Sequence, residues 1–372
     1  MRILHFYKTA FPDTMGGVEQ VIHQICQQSH RFGATCEVLA LSPHPSPTVI
    51  ELDGYKTHQV KENIKIASTG FSIQAFSKFK ELAKQADIIH YHFPWPFMDV
   101  IHFASRIKKP SVVSYHSDIV DQKNLLKLYR PLQNKFLSSV DRIVIASPNY
   151  LESSKVLPAF REKISIIPIG LNKESYPVPS PSLKARWATQ LPERFFLFVG
   201  VLRYYKGLHT LLEAVQGTGY PLVIVGDGPK KQELMVQAEQ LGLQNVHFLG
   251  KVSDEDKVAL IQLSTAIAFP SHLRSEAFGV ALLEGAMYGK PMISCEIGTG
   301  TTYINIANET GLAVPPEDPT AFREAMRYLW DNPQEAAVMG EKAETRYTEL
   351  FTGDQMLRGY MKVYQDLMNK QG

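Results

Sequence analysis

One rhythm constrains this chain more than any other feature: short apolar runs rich in β-branched residues alternate, end to end, with longer segments of helical period. In the first half the runs are 2–7, 36–41, 87–91, 111–115, 142–146 and 164–168. In the second they are 195–200, 221–226, 246–249, 266–269, 291–294 and 312–314. A strand that is apolar on both faces has to be covered on both faces. Parallel sheets with helices on either side give that cover, so the chain reads as α/β and doubly wound. A single core rarely grows past about 250–300 residues, and the chain has 372, so two such domains are expected.

Residues 173–182 carry Pro177, Pro179 and Pro181 at alternate positions and are expected to run extended as the linker. The C-terminal ends of the strands in each domain would then face a shared cleft, where ligands of such folds bind.

Charge removes some functions. The net charge of +2 does not suit a dedicated nucleic-acid binder. Residues 1–180 hold 21 Lys+Arg against 15 Asp+Glu, and the remainder 18 against 22. That split is either surface variation or a first domain that faces something anionic. The opening residues turn polar too soon for a signal peptide, and no run approaches the ~18 apolar residues of a membrane span. Cys26, Cys36 and Cys295 form no Cys-x-x-Cys pair, which suits buried thiols in a reducing compartment. A cytoplasmic protein is expected, with surface attachment to a membrane left open.

The strongest chemical signal is Ser275-Glu276-Ala277-Phe278-Gly279-Val280-Ala281-Leu282-Leu283-Glu284. It follows a strand and a polar loop and turns helical near Gly279. A helix N-terminus offers unpaired N–H groups to a pyrophosphate, and Gly279 lets a ligand approach the backbone. Glu276 precedes the helix and can reach hydroxyls on one side of that phosphate. Glu284 lies about 7–8 Å further along the axis, the distance from a pyrophosphate to a ribose. The bland alternative is an acidic cap followed by one surface glutamate.

Other positions carry weaker signals. Gly16 and Gly17 close a loop after the first run, either as an ordinary turn or for close passage past a phosphate or sugar. No Gly-x-Gly-x-x-Gly is present there or after Phe198, so the nicotinamide and flavin fingerprint is missing. His116 follows the run 111–115 and should project toward the cleft, with Asp118 as a companion. A lone histidine in that place is more often structural. His90 and His92 would face one way on a strand, but no third ligand at metal spacing is visible. Asp254-Glu255-Asp256 follows Ser253 and reads as the acidic first turn of a capped helix rather than a divalent-ion motif.

These residues together resemble glycosyltransferase family 4, whose signature is a pair of glutamates separated by seven residues with Phe-Gly after the first. The resemblance spans essentially the whole chain. It includes Gly16-Gly17, Gly200-Val-Leu-Arg203-Tyr-Tyr-Lys206-Gly207, Val225-Gly-Asp-Gly-Pro229 and Phe248-Leu-Gly-Lys-Val-Ser253. It implies the GT-B fold, two Rossmann-like domains facing a central cleft. Residues 1–178 would form the acceptor side, with a C-terminal helix 355–372 packing back on it, and 179–354 the nucleotide-sugar side.

The resemblance also implies roles. Arg203 and Lys206 would grip the pyrophosphate, Glu276 the sugar hydroxyls and Glu284 the ribose. Gly16, Gly17, Phe278, Gly279 and Val280 would complete the donor site, and His116 would touch the donor sugar. The implied route is retaining and front-face, with no metal ion and no cofactor. A finer resemblance, to bacterial mannosyltransferases of O-antigen and mannan assembly, lies in Tyr7-Lys8-Thr9, Pro12-Asp13-Thr14-Met15-Gly16-Gly17-Val18-Glu19-Gln20 and His90-Tyr-His-Phe-Pro-Trp95-Pro-Phe97. It implies GDP-mannose as donor and a glycan or lipid-linked oligosaccharide of lipopolysaccharide as acceptor. The alternatives are a UDP-sugar donor, glucosyl or N-acetylglucosaminyl, and a non-catalytic nucleotide-sugar-binding partner.

Residues 123–137 form one further pattern. At about 100° per residue, Leu125, Tyr129, Leu132 and Phe136 share a face and Lys123, Lys127 and Arg130 the opposite one. Pro131 should kink this helix or start a new one. The basic face is either a solvated back or a contact, shared with Lys135, to the inner face of the cytoplasmic membrane.

Overall fold

The computed structural model describes residues 1–14, 16–66, 69–119 and 123–370, without the side chains of 123–125; Met15, Lys123 and Leu125 of the patterns above therefore lie wholly or partly outside the described residues. The chain forms two units. The first comprises Met1–Ala146, Ser154–Ile169 and Gly353–Gly372, and the second Ser147–Ser153 and Gly170–Thr352.

All twelve apolar runs form strands. In unit 1 the strands are β1 (Arg2–Phe6), β2 (Thr35–Ser42), β3 (Val49–Leu52), β4 (Tyr55–Lys61), β5 (Ile64–Ile66), β6 (Thr69–Phe71), β7 (Ile88–Phe93), β8 (Ser111–Tyr115), β9 (Arg142–Ile145) and β10 (Ile164–Ile166). Eight of them make one sheet, in the order β10-β9-β8-β7-β1-β2-β4-β3. Every neighbouring pair is parallel except β3–β4. That antiparallel edge was not read from the sequence. Polar residues dilute its apolar pattern, but Asp53-Gly54 between two short runs is a hairpin signal, and Gly54 has φ of 85°. β5 and β6 form a separate small hairpin.

Unit 2 holds β11 (Phe196–Val199), β12 (Leu222–Val225), β13 (Val246–Gly250), β14 (Ala266–Phe269), β15 (Met292–Cys295) and β16 (Gly311–Val314). Its sheet is parallel throughout, in the order β13-β12-β11-β14-β15-β16. Each unit has its own apolar core of strand and helix residues. Two doubly wound α/β units are thus present, as the alternation requires.

The proline-rich segment is not extended throughout. Asn172 accepts the Glu174 N–H and closes a turn at Lys173–Ser175, and Ser180 caps a helix, Pro181–Gln190, in which Pro181 takes the first turn. Proline has the helical φ and needs no N–H there. The helix Lys123–Ser139 likewise runs on through Pro131. It buries Gln133, Phe136 and Leu137, half-buries Tyr129 and Leu132, and leaves Leu128 80% exposed.

The helix Gly353–Asn369 completes unit 1. Met356, Leu357, Tyr360, Met361, Tyr364 and Leu367 recur at helical spacing and are buried in the core around β1, β2 and β7. Polar contacts fix its register. Tyr364 Oη lies 2.6 Å from His90 Nδ1, His90 Nε2 lies 2.8 Å from Ser114 Oγ, and Ser114 Oγ lies 2.9 Å from Tyr360 Oη. His90 is fully buried and burial holds its pKa well below the usual value, so it is neutral and its partners are hydroxyls rather than ions. Tyr364→Phe leaves His90 Nδ1 without a partner in the core and should destabilise unit 1 by about 1–3 kcal/mol. Chemical denaturation followed by amide exchange of β1 and β7 reads the change; an unshifted midpoint would remove the helix from the stabilising contacts.

Candidate active site

In unit 2 the site begins with two loops that meet backbone to backbone. After β11 the chain turns at Tyr204–Lys206 and passes Gly207 at φ of 69°. A Cβ on Gly207 would stand 2.0 Å from the Pro270 carbonyl oxygen. After β12, Gly226 has φ of 134°, and a Cβ there would stand 1.9 Å from the Gly200 carbonyl oxygen. No other residue fits either place. The close packing holds Lys206 against the end of β14. Its ammonium pairs with Glu276 Oε2, which also accepts from Ser271 Oγ at 3.1 Å. Both charged side chains are largely enclosed, 11% and 12% exposed, and Lys206 Nζ lies 4.9 Å over the Phe269 ring.

Glu276 leads into Phe278, which is buried, and Gly279, which has φ of 102° and starts the helix Val280–Met287. The first N–H groups of that helix have no intrahelical partner. One turn on, Glu284 is buried at 5% exposure. Lys257 Nζ donates to its Oε1 at 2.9 Å and Tyr176 Oη donates to the same oxygen at 3.1 Å. Burial alone would lower the Lys257 pKa; the Glu284 charge and hydrogen bond, with Asp254, raise it instead. Burial, with the Glu284 charge, raises Tyr176. Lys257 is therefore held as a cation and Tyr176 as a neutral phenol beside the Glu284 carboxylate.

The structure thus joins Lys206 to Glu276 and surrounds Glu284 with partners that sequence reasoning missed. Ser271 sits two residues past the end of β14, a position that could have been read. Lys257 and Tyr176 come from a helix start and a proline-rich loop and leave no such signal. Arg203 is exposed and lines a hollow of about 230 Å³ with Tyr204, His209, Lys230 and Glu233. Asp254, Glu255 and Asp256 occupy the first turn of the helix Asp254–Leu263, where Ser253 Oγ accepts the Asp256 N–H at 3.1 Å and Asp256 Oδ1 accepts from Trp187 Nε1 at 2.8 Å.

In unit 1, His116 stands one residue past β8. His92 lies on β7, and its Nδ1 is 3.0 Å from His116 Nε2. Burial lowers the His116 pKa to about 4 and holds His92 well below its usual value. Asp118 Oδ1 accepts from Tyr115 Oη at 2.8 Å. Gly16 precedes the helix Gly17–Gln28, and the Glu19 carboxylate folds back against it, accepting from Thr9 Oγ1 at 2.7 Å and Thr14 Oγ1 at 2.9 Å.

Because His90, His92 and His116 are neutral in the fold and ordinary in the unfolded chain, the unfolded chain binds more protons between about pH 6.5 and 4. The His116 contribution to stability is fully present above pH 6.5 and is lost as pH falls toward 4, and His90 and His92 act in the same direction. Thermal unfolding across this range should show a falling midpoint, with a shallower slope in His116→Asn. Identical slopes would contradict the neutral assignment.

The chain matches known proteins along its length. Residues 15–175 match the model of Glycosyltransferase Family 4 and residues 180–346 that of Glycosyl transferases group 1. D-rhamnosyltransferase WbpZ of Pseudomonas aeruginosa is 61% identical over 352 residues, 95% of this chain and 92% of that protein. O-antigen chain mannosyltransferase C of Escherichia coli is 47% identical over 99% of both chains. The solved structure of sucrose-phosphate synthase from Thermosynechococcus elongatus shares the fold, with a TM-score of 0.83 at 21% identity over 99% of both chains.

Proposed function

The chain belongs to glycosyltransferase family 4 and is a glycosyltransferase of GT-B fold, and on that footing we propose that it moves α-mannose from GDP-mannose to a lipid-linked glycan in cytoplasmic O-antigen assembly. The observation that carries the mannosyl reading is full-length 47% identity to an O-antigen chain mannosyltransferase. A second reading is favoured by the 61% identical relative, a D-rhamnosyltransferase. D-rhamnose is D-mannose without its 6-hydroxyl, so both readings share a manno-configured sugar and differ in one oxygen.

The side chains support a division of labour. An ammonium carries three N–H donors, so Lys206 can hold Glu276 and still donate to pyrophosphate oxygens, with Arg203 as the second cation. The leaving diphosphate gains charge in the transition state, and fixed cations favour that state over the ground state. Glu276 accepts from sugar hydroxyls. Glu284 spends Oε1 on Lys257 and Tyr176 and offers Oε2 to the ribose. Phe278, Gly279 and Val280 present the helix N-terminus to the phosphates. Gly16, Gly17 and His116 contact the sugar portion of the donor. His116 is neutral and serves as a hydrogen-bonding group, not a cation. Transfer is retaining and front-face, the departing phosphate oxygen taking the acceptor proton, and neither a metal ion nor a cofactor takes part.

Mass-spectrometric assay of GDP-mannose, GDP-D-rhamnose, UDP-glucose and UDP-N-acetylglucosamine tests the donor. Transfer from GDP-mannose is expected, and Glu276→Gln should lower its kcat by about 100-fold or more. A preference for GDP-D-rhamnose selects the second reading, and transfer from UDP-sugars alone refutes both.

Among the described residues no helix is long and apolar enough to cross a membrane. The acceptor's lipid would instead be met at the surface, through exposed Leu128 and the cations Lys127, Arg130 and Lys135, each worth about 1 kcal/mol near anionic headgroups. Sedimentation with anionic vesicles should exceed that with neutral ones and weaken in the triple Gln variant. Equal, negligible sedimentation with both discards the membrane contact.

A further inference from the structure

Three imidazoles stand in file across three adjacent strands of unit 1. His5 is on β1, His92 on β7 and His116 just past β8. His5 Nδ1 lies 3.0 Å from His92 Nε2, as His92 Nδ1 does from His116 Nε2. The rings stack with centroids 5.3 Å apart in both pairs, at 20° and 10°. His5 and His92 have no solvent exposure. His90 stacks on His92 at 4.3 Å and lies tilted 4.7 Å from His5, but its nitrogens are taken by Tyr364 and Ser114. It does not compete for the file.

A neutral imidazole has one N–H and one bare nitrogen. His92 is neutral in the fold, so its two successive hydrogen bonds must run in one direction. If His5 donates to His92, then His92 donates to His116; if His116 donates, both bonds reverse. The inner end decides between them. His5 Nε2 is buried without a hydrogen-bond partner, and the ring shares its buried place with Cys26 and Cys36, one of its nitrogens and both Sγ atoms lying within 4.8 Å of one another. Both cysteines are free and buried. An N–H at that end would be buried with only sulfur, a weak acceptor, to receive it. Buried orphan N–H groups are rarer in native proteins than under-satisfied acceptors. Cys36 Sγ donates to Ser29 Oγ at 3.3 Å, and a bare nitrogen suits the place better.

We infer that His5 and His92 are positioning residues that fix His116 as its Nδ1–H tautomer, with bare Nε2 turned inward. His116 then presents a hydrogen-bond donor, not a base, to an oxygen of the sugar nucleotide. The inference rests on the reading of His116 as a donor contact. Its logic is that of any imidazole whose outer nitrogen is committed by the bond its inner nitrogen makes.

Nitrogen-15 NMR of histidine-labelled intact protein reads the tautomer directly, without substrate. The wild type should show His116 protonated at Nδ1 and bare at Nε2. An asparagine amide nitrogen falls near the position of a histidine Nδ1, and a glutamine amide near Nε2. His92→Asn should therefore keep the bond to His116, its tautomer, and kcat within about 3-fold of wild type. His92→Gln and His92→Leu should return His116 to the Nε2–H form and lower kcat about 10-fold or more, with little change in donor KM. An Nε2–H His116 in the wild type would overturn the inference, even if the variants fold poorly. So would an unmoved tautomer in His92→Leu, or equal losses of kcat in the Asn and Leu variants. Full activity in His116→Ala would instead remove the reading of His116 as a donor contact and leave the tautomer result standing, so the two failures are distinct.

Discussion

The contact between the Lys206 ammonium and the Glu276 carboxylate governs the candidate site of unit 2. Two charges that are nearly nine-tenths enclosed cannot sit there singly, because an unpaired buried charge costs several kcal/mol. Each fixes where the other must be, and the surrounding backbone is arranged to suit. Lys206 comes from the loop after β11 and Glu276 from the loop after β14, neighbouring strands of one parallel sheet. The loops approach closely only because Gly207 has no side chain to strike the Pro270 carbonyl. The Glu284 trio repeats the device one helical turn away, with a phenol added. A polyanionic ligand would thus meet cations already held in place by acids.

The other unit solves a different problem. Its central strands carry polar rings into a buried layer, and burial keeps His90 and His92 uncharged there. His90 is satisfied by two hydroxyls, while His92 is satisfied by two other imidazoles. Such a layer is rigid because each bond commits the next. His116 is its outer end.

Much of this was legible in the sequence. A parallel strand buried on both faces writes a continuous apolar run, which is why β7 and β12 could be placed within a residue or two. Glu276, Phe278 and Gly279 were legible because they stand together in the chain, directly before the helix Val280–Met287. Lys257 and Tyr176 were not legible, because nothing local demands them: each meets Glu284 only after the sheet has formed. Pro181 misled, since a proline that starts a helix looks the same in sequence as one that stiffens a linker. The β3–β4 edge was missed because its polar residues broke the run, though Asp53-Gly54 marked its turn. His92 was visible as a residue facing the same way as His90, but the bond that carries it to His116 crosses strands 24 residues apart.

The helix Gly353–Asn369 sets an order on the making of the protein. A ribosome delivers the chain from its first residue onward, and unit 2 is complete once Thr352 has emerged. Unit 1 has by then already exposed β1, β2 and β7, but the tyrosines that cover His90 and Ser114 are still to come. The half of the molecule made first is thus the last to close, and until that helix has emerged its apolar flank has to be kept from other chains. Removing the helix Gly353–Asn369 would therefore damage the fold that begins the chain, while leaving the fold in between intact.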